Sequence, residues 1–169
     1  MKSILELNQE LEQFQIKIKN KLPGKILFAK VAGSHSYGLA TETSDVDFIV
    51  VYQAPLRKVL STNQLTETVD GKSPDFQAHE IGKFCRLLLK GNPNIVECLF
   101  TEHHTQTEPG WFGLYNMRKQ FINQTTLKQY LGYCHGQKQR FLAHQPVHTV
   151  GGDRPSVGHG ECNRCGKQY

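Results

Sequence analysis

The sequence predicts an α+β fold, a small mixed β-sheet flanked by helices and followed by an irregular tail. Three observations predict it. An amphipathic stretch opens the chain, two β-prone runs flank a Gly-Ser turn, and further helical periodicities alternate with a third short β-prone segment. The 169 residues suffice for one domain with its own core.

Ser3-x-x-Glu6 reads as a capping box, and Leu7, Leu11, Phe14 and Ile18 recur at helical spacing to about Lys21. Pro23-Gly24 stops that helix. Ile26 to Ala32 is the first predicted strand. Gly33 to Thr43 is a loop with one helical turn at Ser34 to Tyr37, and Val46 to Tyr52 is a strand buried on both faces. Pro55 ends it, with a short helix through Leu60. Asp70-Gly71 reads as a turn and Asp75 to Ala78 as the third strand.

A helix then starts at His79 or Glu80, with Ile81, Phe84, Leu87 and Leu88 on one face and Gly91 as its terminator. Pro93 to Phe100 begins another helix, since proline suits a first turn. Thr125 to Phe141 is a long helix with Leu127, Tyr130, Leu131, Cys134 and Phe141 as its apolar positions.

The division expected is a domain over residues 1–143 and a loosely ordered Gly- and Cys-containing tail over 144–169, which has too few aliphatic residues to offset its ordering entropy. Within the tail, His159-x-x-Cys162-x-x-Cys165 with His148 invites a zinc reading. The reading favoured is incidental cysteines, because no second well-spaced ligand pair accompanies them. No apolar run approaches the ~20 residues of a membrane span, and the N-terminal stretch is interrupted by Glu6, Gln9, Glu10 and Glu12. A cytoplasmic protein is expected, with the nucleus as the other compartment. The five cysteines, an odd count, read as free thiols. A net charge of +5 suits a polyanionic partner without demanding one.

The chemistry concentrates in one segment. Asp45 and Asp47 stand two apart at the entry to a strand, so both carboxylates face one way. Such a pair resists joint ionisation unless a cation lies between them, and hard oxygen ligands are what Mg²⁺ requires. Gly33 lets the backbone approach a phosphate closely, and Ser34 with the following amides offers donors to it. Lys83, Arg86 and Lys90 recur at helical spacing, either as phosphate contacts or as the solvated face of an amphipathic helix. His35, Ser36 and Tyr37 could touch base or ribose, or simply pack the loop. His79 adjoins the acidic segment, and a structural role is favoured for it.

The segment GSHSYGLATETSDVDFIVV resembles the Gly-Ser…Asp-x-Asp signature of the DNA polymerase β-like nucleotidyltransferase superfamily. Within it, DFQAHEIGKFCRLLLKGNPNIVECLF resembles predicted nucleotidyltransferases related to RNA-repair-associated polymerases. The likeness runs from about residue 25 to 143. It implies a nucleotidyltransferase fold and transfer of a nucleoside monophosphate from an NTP, such as ATP, to a hydroxyl acceptor, RNA or another. It also implies a third carboxylate, for which Asp75 is placed ahead of Glu80. The metal set is then Asp45, Asp47 and Asp75 with Mg²⁺, or Mn²⁺ in its place, and Gly33, Ser34, Lys83 and Lys90 meet the nucleotide. Asn92 and Glu97 are assigned to the turn between two helices. Relatives continue with further helices after the segment matching Leu131 to Phe141, so the alternative is a truncated, catalytically inactive module that binds a partner.

Overall fold

The computed structural model describes residues 2–62, 64–101 and 104–144. Helix α1 (Ile4–Ile18) starts from the expected capping box. The Ser3 backbone N–H donates to the Glu6 carboxylate at 2.6 Å, and the Glu6 N–H donates back to the Ser3 hydroxyl at 3.3 Å. Its buried stripe is Leu7, Leu11, Phe14 and Ile18.

Strand β1 (Lys25–Ala32), the single turn α2 (Gly33–Ser36), strand β2 (Asp47–Gln53) and the short α3 (Leu56–Val59) follow. A hairpin of β3 (Thr68–Lys72) and β4 (Asp75–Glu80) precedes α4 (Ile81–Leu89) and α5 (Pro93–Glu97). The chain continues through β5 (His104–Thr107), α6 (Pro109–Asn116), a 3-10 turn at Arg118–Phe121, and α7 (Gln124–His144). The five strands lie in the order β3-β4-β2-β1-β5. β2 and β4 run parallel and the other pairs antiparallel, which makes the sheet mixed.

Alternation along β2 divides the interior into two layers. Phe48, Val50 and Tyr52 join the α1 stripe on one face, where Phe14 stacks on Phe48 with ring centroids 4.1 Å apart. Val51, with Phe28 from β1, packs against Phe84, Leu88, Ile95, Val96 and Trp111 on the other. Burying a phenylalanine of this kind stabilises by about 1.5–3 kcal/mol. The Phe14–Phe48 pair therefore fixes α1 over the end of β2 that follows Asp47.

Asp70-Gly71 departs from its expected role. Both residues lie inside β3, and the chain reverses at Ser73-Pro74, a cis peptide bond. The reason is the partner strand: Gly71 pairs with Phe76, and a Cβ on Gly71 would stand 2.2 Å from that ring. The glycine makes room for an aromatic side chain lying across the hairpin.

On α7 the predicted apolar positions divide. Tyr130 is half-buried, its hydroxyl reaching the Pro93 carbonyl at 3.2 Å, while Leu127, Leu131, Cys134 and Phe141 are exposed; the buried residue of this stretch is Thr126, which was not among them. The chain separates into two units, Met1–His135 and Gly136–Tyr169. The whole sheet belongs to the first. The tail reading, with His148, His159, Cys162 and Cys165, lies outside the described residues. Among the described residues no helix is long and apolar enough to cross a membrane.

Candidate active site

The end of the sheet where β2 and β4 begin gathers the carboxylates. Because the two strands are parallel with Phe48 opposite Phe76, the residues just before these, Asp47 and Asp75, stand at the same level on neighbouring strands. Asp45 lies two residues ahead of β2 in irregular backbone, exposed like Asp75, and Asp47 is half-buried.

Their proximity is visible in the charge balance of Asp47. Its carboxyl is held above the usual carboxylate range, chiefly by burial, then by the negative charges of Asp75 and Asp45, with His35 pulling the other way. The three acids thus share one electrostatic environment.

Gly33 explains how Asp47 reaches its position. The glycine has φ +65°, and a Cβ there would stand 2.0 Å from Asp47 Oδ2. Any other residue would expel the carboxylate from the mouth of α2. The sequence suggested that this glycine clears space for a phosphate, and the structure shows that it first clears space for Asp47. Around it the loop is pinned from within. The Ser36 hydroxyl donates to the Gly33 carbonyl at 2.8 Å, and buried His35 meets the Ser44 carbonyl through Nε2 at 3.2 Å. That last contact fixes the backbone immediately before Asp45. His35 is accordingly a loop residue, held away from solvent.

A cleft of about 550 Å³ opens beside the carboxylates. Asp45, Asp47 and Asp75 line it, with Phe14 and Lys17 from α1 and Lys72 from the β3–β4 hairpin. Lys17 and Lys72 were absent from the sequence-based site. Their signals were a lysine three positions after Phe14 on the buried stripe and one that precedes the Ser-Pro turn. Gly33 adjoins Asp47, and neither it nor Ser34 lines this cleft.

The remaining expected residues lie apart from the carboxylates. Lys83, on α4, makes an ion pair with Glu67 at 3.7 Å, and Arg86 bonds to the same carboxylate. Lys90 is the exposed C-cap of α4. Neither lines the cleft. Glu80 sits at the far end of β4 from Asp75, buried, and caps α4 by accepting the Gly82 N–H at 2.6 Å. His79 is also buried beside Thr68 and Gln77, and burial pulls its pKa down. Asn92 caps α5, accepting the Ile95 N–H at 3.3 Å.

Among the described residues no group of three His, Cys, Asp or Glu side chains is assembled closely enough to hold a metal ion by itself. The donor set nonetheless fits Mg²⁺ chemistry. Mg²⁺ is commonly held through one or two carboxylates plus the oxygens of a bound phosphate, not by an all-protein cage. Asp47, whose proton affinity is raised by burial and by the charges of Asp75 and Asp45, is a donor such a cation would relieve.

Comparison with known proteins extends this picture. Over 123 residues the chain is 27% identical to an uncharacterized 38.9 kDa protein from the nrdC-mobD intergenic region of Enterobacteria phage T4. The match covers 64% of this chain and 36% of that protein, so the chain spans about a third of its relative's length. A model of RlaP, the RNA repair pathway DNA polymerase beta family, matches residues 5–151, which include both strands and all three acids of the site. The protein is nucleotidyltransferase-like, and the chain belongs to the RNA repair pathway DNA polymerase beta family.

Proposed function

We propose that the protein transfers a nucleoside monophosphate from an NTP to a hydroxyl acceptor at the sheet end where Asp45, Asp47 and Asp75 meet, with Mg²⁺ or Mn²⁺ as its metal. One observation carries the reading. Asp47 is kept in place by a left-handed glycine that leaves no room for a side chain, although its neighbours Asp75 and Asp45 repel it. Folding alone gains nothing from such crowding, so the arrangement belongs to binding.

Asp45 and Asp47 would hold the metal, with Asp75 sharing it. When bound, the metal supplies Lewis acidity for the attacking hydroxyl and charge neutralisation for the leaving pyrophosphate. Ser34 would offer its hydroxyl, and the Gly33–Ser34 backbone its amides, to the triphosphate. Lys90 is exposed and available to phosphate, whereas Lys83 would have to leave Glu67 first. No side-chain nucleophile is required, since the acceptor hydroxyl attacks. RNA is the acceptor suggested by the family description, and small-molecule or protein hydroxyls are the alternatives.

The test is incubation with labelled NTPs, Mg²⁺ or Mn²⁺, and mixed RNA and protein acceptors, beside an Asp45→Asn, Asp47→Asn variant. Incorporation that disappears in the variant supports the reading. No incorporation together with no metal-dependent NTP binding overturns it. A second reading, a non-catalytic binding module, is favoured by the exposed Leu127 and Leu131 on α7. It expects partner binding without incorporation.

A further inference from the structure

Tyr37 follows α2 directly, one helical turn and about 6 Å beyond the glycine that touches Asp47. The residue is 57% exposed, yet its hydroxyl is fixed. The Tyr37 O–H donates to the Glu97 carboxylate, whose other oxygen lies 3.3 Å from the Tyr130 hydroxyl and shares its one hydrogen with the Pro93 carbonyl. Three elements therefore meet at one carboxylate: the turn beside the acids, α5 and α7. Glu97 is itself well anchored. It ends α5, whose Ile95 and Val96 are buried in the core and whose start is capped by Asn92. The Tyr37 backbone is held as well, its N–H donating to the Ser34 carbonyl at 3.3 Å. Gly38, at φ +68°, then turns the chain.

An exposed aromatic side chain is unremarkable when it is free to move. Here its polar end is clamped while more than half of the residue stays open to solvent, so stacking on it costs little conformational entropy. Base–aromatic stacking is the general means by which proteins grip unpaired nucleotides. The clamp also accounts for the Glu97 carboxylate, which otherwise bonds two tyrosines for no evident gain.

We infer that Tyr37, clamped by Glu97, is the platform on which a nucleobase stacks beside the Asp45–Asp47–Asp75 site. The ligand is a nucleobase, carried by the incoming NTP or by the end of an acceptor strand. This rests on the nucleotidyltransferase reading. Tyr37 is a binding residue, and Glu97 is a positioning residue that acts through it.

The test measures affinity by calorimetry in Mn²⁺ for three probes: ATP, a short oligoribonucleotide, and tripolyphosphate as the probe without a base. Tyr37→Ala should weaken ATP or the oligonucleotide by about 5- to 150-fold, the worth of one lost stack, and leave tripolyphosphate unchanged. Tyr37→Phe should keep most of the affinity, and Glu97→Ala should weaken the same probe by a smaller factor. Whichever of ATP and the oligonucleotide responds identifies the source of the base. Unchanged affinity for both in Tyr37→Ala overturns the inference, as does an equal loss for tripolyphosphate, which would mean that the loop had collapsed. Wild-type protein that binds none of the three probes overturns the nucleotidyltransferase reading itself, and the stacking platform with it.

Discussion

Gly33→Ala isolates the contact on which the site depends. Two costs are readable from the structure. Gly33 has φ +65°, where an L-residue loses roughly 1–2 kcal/mol. The new Cβ would also stand 2.0 Å from Asp47 Oδ2, against about 3.4 Å for ordinary contact, so the oxygen must withdraw by roughly 1.4 Å. A carboxylate end can swing aside, at about 0.5–1.5 kcal/mol for a strained rotamer. The variant should therefore fold, with a stability loss of about 2–3 kcal/mol by urea denaturation. In an Asp47→Ala background the second cost vanishes, and Gly33→Ala should cost only the backbone share. The difference between the two backgrounds is the coupling of a double-mutant cycle, about 1 kcal/mol. Mn²⁺ binding, followed by electron paramagnetic resonance, should weaken at least tenfold in Gly33→Ala because the displaced Asp47 no longer faces Asp75. Equal costs in both backgrounds, or unchanged Mn²⁺ affinity, would refute the claim that this glycine exists for the carboxylate.

Asp47→Asn should stabilise the metal-free protein at neutral pH. An acid whose pKa is raised on folding contributes stability below its unfolded pKa and loses it as pH rises through the folded value, so ionised Asp47 is a burden at pH 7. Because Asp47 is only half-buried and solvent screens its neighbours' charges, the gain is a few tenths of a kcal/mol to about 1, seen as a melting temperature higher by about 1–4 °C that shrinks towards pH 4. Millimolar Mg²⁺ should narrow that gap by stabilising the wild type alone. Asp75→Asn should remove the Mg²⁺ response with little loss of stability, whereas Glu80→Ala should cost about 1 kcal/mol through the lost α4 cap and keep the response. The opposite pattern would exchange their roles. Gly71→Val should destabilise by about 1–3 kcal/mol through the collision with the Phe76 ring, and a hydrogen-exchange map would show the β3–β4 hairpin loosened first.

How much of this was legible in the sequence depended on the range of the interactions. Local signals were reliable: the Ser3–Glu6 box, the α1 stripe, and β2 as a doubly buried run. The Asp45-x-Asp47 spacing was equally plain, because strand alternation is a property of the backbone alone. Asp70-Gly71 was misread because its residue types are those of a turn. What overrode them was Phe76, a cross-strand neighbour that needs Gly71 to be small. On α7, spacing predicted an apolar stripe but not which way it points, and the Tyr130 bond to Pro93 on α5 fixes that rotation. The Tyr37–Glu97 pair spans 60 residues of sequence and leaves no local mark. Spacing left Lys83 as either a phosphate contact or a solvated face, and the resemblance pointed it to the nucleotide, while its actual neighbour, Glu67, lies in a polar segment with no helical or strand periodicity.

The arrangement of β2 explains why such a crowded acidic site can sit on a stable sheet. Phe48, Val50 and Tyr52 bind one layer and Val51 the other, and all follow Asp47 in the chain. The acids stand at the strand entries, Asp45 and Asp75 open to solvent and Asp47 half so. Their mutual repulsion is thus paid in a screened environment, where like charges cost little. Had the same pair stood at positions 49 and 51, burial would have multiplied the cost several-fold. Gly33, at the end of β1, stands where a Cβ would meet the Asp47 carboxylate. That is where a substitution should trade stability against metal binding; core changes farther along β1 and β2 should alter stability and leave Mn²⁺ affinity alone.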